Sequence, residues 1–225
     1  MGIGSNGSAM KHRVTKELYA YWLNIRGQRR APERSEIEPA DIRTILGDTF
    51  ILEVAGRNEY RFRLAGTRVC AVYGRELKGK DFLSVLDAKD RASVSTMMAS
   101  VVENATGIVL GLVGRSDRGV DLPFECLMLP IHQSGQGLTR ILGSLVPMDD
   151  PYWIGLHPIL DQRVSSIRLV MPDEHAWSLK SRGHDPIVPP AITMTLPLTF
   201  SQKNGDLPTF QRKVAHLTVF EGGKQ

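Results

Sequence analysis

The spacing of apolar positions changes several times along the chain, and each change predicts an element. Val14, Leu18, Tyr21, Trp22 and Ile25 recur at i, i+4, i+7, i+8 and i+11, with Lys16, Asn24 and Arg26 on the opposite side. That stripe predicts an amphipathic helix over 14–28. It closes in Gly27-Gln28-Arg29-Arg30, where cations meet the carbonyl end of the helix dipole, and Pro32 blocks its continuation. Ser35-Glu36-Ile37-Glu38 reads as a capping box, with Pro39 as an alternative first helical position, and predicts a short helix to Leu46. Gly47-Asp48 then turns the chain. From Thr49 the period falls to two. Phe50, Leu52 and Val54 alternate with Ile51 and Glu53, and after the loop Gly56-Arg57-Asn58, Tyr60, Phe62 and Leu64 alternate with Arg61 and Arg63. This is a hairpin of strands 49–55 and 59–65.

At Gly66-Thr67 the alternation stops, and Val69, Cys70, Val72 and Tyr73 follow at helical spacing until Gly74. After the loop RELKGKDF, residues 87–104 predict a longer helix with Asp87 as its N-cap and Val94, Met97, Met98, Val101 and Val102 along one side. Three further strands, 107–114, 121–132 and 138–146, are joined by loops short enough for antiparallel hairpins. Two strands, then helices, then three strands predict an α+β domain with a five-stranded antiparallel sheet and helices inserted between strands 2 and 3. In FECLMLPI, Phe124, Cys126 and Met128 form one apolar face while Leu127, Leu129 and Ile131 form the other. A sheet apolar on both faces needs cover on both. The inserted helices serve one face and the N-terminal helix the other, each buried side chain contributing about 1.5–3 kcal/mol.

Composition narrows the class. The 225 residues are 42% hydrophobic and 23% charged, with net charge +4 and pI about 9.2, ordinary for a globular chain. The cations are spread out rather than set in a stripe with interleaved aromatics, so nucleic acid is not an expected partner. No apolar run reaches the roughly 18 residues of a membrane span. Cys70 and Cys126 both lie in apolar patterns, which predicts buried free thiols in a reducing cytoplasm. Residues 1–13, beginning MGIGSNGSAM, read as a flexible N-terminus, 14–148 as the folded domain, and 149–225 as a Pro-rich extension. Within that extension 164–171 and 191–200 have strand patterns confined by Pro189, Pro190 and Pro197 to sheet edges.

The strand YRFRLAGT, the short helix ending Tyr73-Gly74-Arg75-Glu76-Leu77, and the step Lys78-Gly79-Lys80-Asp81-Phe82 carry a resemblance to the PAS fold. With the opening run YWLNIRGQRRAPERSEIEPADI and the closing VAHLTVFEGG, the chain resembles a single-domain PAS family of alphaproteobacteria long catalogued as a domain of unknown function. The resemblance implies a cavity between sheet and helices. The residues placed to line it are Cys70, Tyr73, Phe82, Met97, Val101, Leu110, Leu112, Cys126, Met128 and Leu145, which either fill the space themselves or enclose a small molecule. It also implies dimerisation, assigned here to the helix face of Leu18, Tyr21, Trp22 and Ile25. The expected function is a cytoplasmic sensory or regulatory protein without an attached output domain, a homodimer acting on a protein partner in trans. The alternatives are a receptor for an apolar metabolite and a small enzyme using the cavity.

Searching for chemistry leaves little. The basic loop of Arg75, Lys78 and Lys80 suits either a bound anion or a solvated turn whose glycines adopt positive φ, and it lacks the P-loop spacing. The long helix has no histidine to ligate haem, and Cys70 in AGTRVCAVYG does not match the Asn-Cys-Arg loop of photoactive flavin domains of this fold, so no cofactor is expected. The histidines are not spaced as metal ligands, and Asp173, Glu174, His175, His184 and Asp185 read as a polar loop. Arg163 and Arg168 lack the accompanying motif of a cyclic-dinucleotide module. For an enzyme the only ionisable candidates are Glu53, Glu125 and His132; no catalytic or metal residue is assigned.

Overall fold

A computed structural model describes residues 10–56 and 58–170. Helix α1 (Arg13–Arg26) opens the chain and is followed by a 3-10 turn at Arg34–Glu36 and a second at Leu46–Asp48. Strands β1 (Thr49–Gly56) and β2 (Glu59–Ala65) form the first hairpin. Helix α2 (Thr67–Val72), a 3-10 turn at Phe82–Val85 and helix α3 (Arg91–Asn104) follow. Strands β3 (Gly107–Ser116), β4 (Asp121–Gln133), β5 (Gly137–Pro147) and β6 (Ile159–Val170) complete the described chain. All pairings are antiparallel, in the order β2-β1-β5-β4-β3-β6.

The predicted α+β architecture is the observed one, with one correction. The sheet has six strands rather than five, because Ile159–Val170 pairs with β3 along nearly its whole length. The strand pattern at 164–171 was visible in sequence, but the first half, ILDQR, is too polar to read as a strand. Two further expectations fail locally. The helix predicted to run to Leu46 is a series of turns, in which Glu36 Oε2 accepts the Glu33 N–H at 2.7 Å and the box therefore sits two residues earlier than read. The N-cap of α3 is Asp90 rather than Asp87, and its carboxylate instead accepts the Val164 N–H of β6 at 2.7 Å.

The two faces of β4 divide the core as its alternation requires. Phe124, Cys126 and Met128 join a cluster beneath α2, α3 and the Phe82–Val85 turn, whose centre is the ring set Phe50, Phe62 and Phe82, with centroids 5.7–5.9 Å apart. Leu127, Leu129 and Ile131 join a second cluster with Met10, Val14, Leu18, Tyr19 and Trp22 of the N-terminal segment. Trp22 is fully buried and its Nε1–H donates to the Pro130 carbonyl at 2.8 Å. Pro130 is tolerated in β4 because it lies beyond Met128, where pairing with β3 ends. Close approach decides one glycine: at Gly143 on β5 a Cβ would strike the Phe50 ring and come 2.6 Å from the Leu127 carbonyl.

The basic loop has a structural use. Gly79 N–H donates to the Phe62 carbonyl at 2.7 Å and Phe62 N–H to the Lys80 carbonyl at 2.9 Å, with Gly79 at φ +79°. The loop thus covers part of the free edge of β2, where unpaired backbone groups would otherwise template another strand.

Candidate functional site

Most of the expected cavity-lining residues converge from distant parts of the chain. Tyr73, Phe82, Val101, Leu110, Leu112, Cys126, Met128 and Leu145 are buried together in one cluster, and Cys70 and Met97 are half-buried against it. The sheet forms one wall. The other is made of two short elements, α2 and the Phe82–Val85 turn, and of α3, with Met97 and Met98 supplying deformable side chains on α3.

Inside this apolar volume is a polar pair that the sequence did not reveal. The Tyr73 hydroxyl donates to Gln162 Oε1 at 2.8 Å. Gln162, on β6, is fully buried, and its Nε2 has no hydrogen-bond partner among the described residues. Burial holds the Tyr73 phenol well above its ordinary pKa of 10.0, so it remains a donor. The same burial pushes the Cys126 thiol far up from 9.0 and leaves it protonated. Cys70 is also raised, chiefly by desolvation, so neither cysteine has the lowered pKa of a reactive thiol. Both are free. Gln162 escaped notice because one glutamine in ILDQRVSSIRLV reads as a solvent-facing strand position; only its 89-residue separation from Tyr73, closed by the fold, gives it meaning.

The carboxylates and histidine considered for catalysis serve other purposes. Glu125, fully buried, accepts the backbone N–H of Lys11 at 2.9 and 3.1 Å and of His12 at 2.9 Å, with Arg168 Nη2 at 3.5 Å. A carboxylate at the amino end of α1 satisfies amides and opposes the helix dipole. Glu53 lies 2.7 Å from Arg140 and 3.4 Å from Arg63, and His132 Nδ1 2.7 Å from Glu33. Among the described residues no group of three or more His, Cys, Asp or Glu is placed to hold a metal ion. The polar loop at 173–185 and the closing segment at 214–223 lie outside the described residues.

On the helix assigned to dimerisation, Leu18 and Trp22 are spent inside their own chain. Tyr21 and Ile25 lie half-buried at the rim, the Tyr21 hydroxyl accepting the Glu38 N–H at 2.8 Å. A separate open cleft of about 600 Å³ lies where the α1 exit loop, the end of α3 and the β4–β5 hairpin meet. Its lining includes the apolar Ala31, Val102 and Leu138, and its polar groups have partners within the chain: Arg29 pairs with Glu36, His132 Nδ1 lies beside Glu33, and Arg30 donates to the Glu103 carbonyl.

Residues 10–146 match the family PAS_5, a PAS domain. No curated protein matches the chain. Solved structures similar to it include a Rhodobacter sphaeroides LOV protein (10% identity, TM-score 0.39, covering 52% of this chain and 71% of that one). A PAS domain from Colwellia psychrerythraea aligns at 12% identity and TM-score 0.36, over 49% of this chain and 98% of its own. The periplasmic sensor domain of a chemotaxis protein aligns at 15% identity and TM-score 0.31, over 60% and 86%. No helix among the described residues is long and apolar enough to cross a membrane.

Proposed function

The chain belongs to the PAS-domain family, and from that premise we propose that it is a sensory protein whose core, between the sheet and the α2–α3 wall, receives a small, mainly apolar molecule. The observation that carries this is the convergence of Tyr73, Phe82, Met97, Val101, Cys126 and Met128 in one buried cluster whose outer wall includes the short α2 and Phe82–Val85 elements and the flexible methionines of α3. The short part of that wall, α2 and the Phe82–Val85 turn, can move to admit a guest at less cost than a sheet or a long helix, because fewer backbone hydrogen bonds change. Occupancy shifts the wall, and the shift is read by a protein partner. In this reading the protein acts in the cytoplasm as a homodimer, and a second copy meets α1 through Tyr21 and Ile25, with Leu18 and Trp22 holding the helix to its own sheet from behind.

Native mass spectrometry of the purified full chain tests it. The expected spectrum is a dimer carrying an additional small mass that disappears on denaturation. A bare chain, unchanged in mass and stability across a panel of apolar metabolites, refutes the receptor. A bare monomer at all accessible concentrations refutes the dimer separately.

A further inference from the structure

The polar pair inside the core narrows the chemistry of the proposed ligand, an inference that rests on the receptor reading. Gln162 is anchored on several sides. Its backbone carbonyl accepts the Asp87 N–H at 2.8 Å, it pairs across the sheet with Gly114, and its Oε1 is taken by Tyr73. Gly114 makes room for the neighbours that pack beside it: a Cβ there would lie 2.8 Å from atoms of Phe124 and Ile159, and 3.4 Å from Gln162 Cγ. In the structure the amide oxygen accepts from the Tyr73 hydroxyl, and the NH₂ group faces away. That NH₂ is fully buried and unpaired among the described residues. A buried donor without an acceptor is costly and uncommon, and it selects whatever can supply one.

We infer that Gln162 Nε2 is the hydrogen-bond donor that reads the ligand, and that the ligand is a neutral, mainly apolar molecule bearing a carbonyl-type acceptor. The neutrality comes from the surroundings. The side chains packed around the pair include Phe124, Ile159 and Leu86, and the charge that acts on Tyr73, the Arg75 guanidinium, is exposed on the surface rather than buried beside the amide, so a charged guest would be desolvated without a buried partner. The site also spans the sixth strand. Gln162 is contributed by β6, beyond the 10–146 span of the family match, so the chain's own added strand supplies the selecting group.

Two probes of nearly equal shape test this on the full chain: acetophenone, and α-methylstyrene, in which a CH₂ replaces the carbonyl oxygen. Their dissociation constants are measured by titration calorimetry for the wild type and for Gln162→Met, which keeps the length of the side chain and removes the donor. The expected result is a shift of at least about tenfold in the ratio of the two constants, acetophenone losing its advantage in the variant. An unchanged ratio, with both probes still binding, overturns the donor's role and leaves the receptor standing. Failure of both probes to bind the wild type overturns both. If Gln162→Met does not fold, the wild-type side-chain amide resonance of Gln162 decides: it moves with acetophenone and not with α-methylstyrene if the inference holds, and equally with both if it does not.

Discussion

Replacing Trp22 by alanine tests whether α1 is part of the fold or an appendage to it. The ring is fully buried, stacks with Tyr19 at 6.2 Å between centroids, and has the Arg26 guanidinium 5.3 Å above it. Truncating a buried Trp or Phe costs about 3–5 kcal/mol. The Pro130 carbonyl also loses its indole donor, and a buried acceptor left unpaired costs about 1–3 kcal/mol. These overlap, so the expected total is about 4 kcal/mol or more, much of the 5–15 kcal/mol that holds a typical domain together. Trp22→Phe keeps most of the apolar contact and loses only the donor, for about 1–2 kcal/mol. Urea unfolding followed by far-ultraviolet circular dichroism gives both numbers. A loss below about 1 kcal/mol for Trp22→Ala would refute the packing of α1 on the sheet. Because the side chain faces its own chain, Trp22→Phe should leave the oligomeric state unchanged in size-exclusion chromatography with light scattering.

Gly143→Ala should cost about 1–3 kcal/mol or prevent folding, since the added methyl meets the Phe50 ring and the backbone of β4; a thermal midpoint equal to wild type would contradict it. Glu125→Gln should cost about 2 kcal/mol, because an amide cannot accept at both oxygens from Lys11 and His12, and hydrogen exchange should accelerate first at the amino end of α1. Stability should fall above about pH 9. Burial raises the folded pKa of Cys126 and Tyr73 above 9.0 and 10.0, so the unfolded chain loses these protons first. Their contribution is intact below those values and declines by up to about 1.4 kcal/mol per pH unit per group above them. In Cys126→Val the thiol's share of the decline disappears; parallel wild-type and variant curves between pH 8 and 10.5 would show that the thiol is not held neutral.

Elements set by local period were legible. The hairpin at 49–65, the three strands after α3 and the double-faced β4 follow from alternation alone, and assigning the faces of β4 was enough to predict a helix on each side. What was not legible depends on groups far apart in sequence. Glu125 looks like a stray charge in an apolar strand until Lys11 and His12 are seen to bring their amides to it. Asp90 looks like an ordinary helix-flanking acid until Val164 donates to it. For the candidate site, the residues that share the buried cluster could be named because PAS-like sequence order brings them together, whereas Gln162 could not, since no periodicity marks a polar residue that turns inward from a strand the pattern only half shows.

The anchoring of α1 also sets a timetable. Two of its polar attachments to β4, Lys11 to Glu125 and Trp22 to Pro130, join residues 114 and 108 positions apart. The helix is made early and Ile37, Ile42, Ile45 and Ile51 of its cluster follow soon after, but the sheet face on which it docks is incomplete until β4 leaves the ribosome. At roughly 5–20 residues per second that interval is on the order of 5–20 seconds. Throughout it the nascent chain displays Leu18 and Trp22 before their sheet exists, a segment suited to capture by a chaperone.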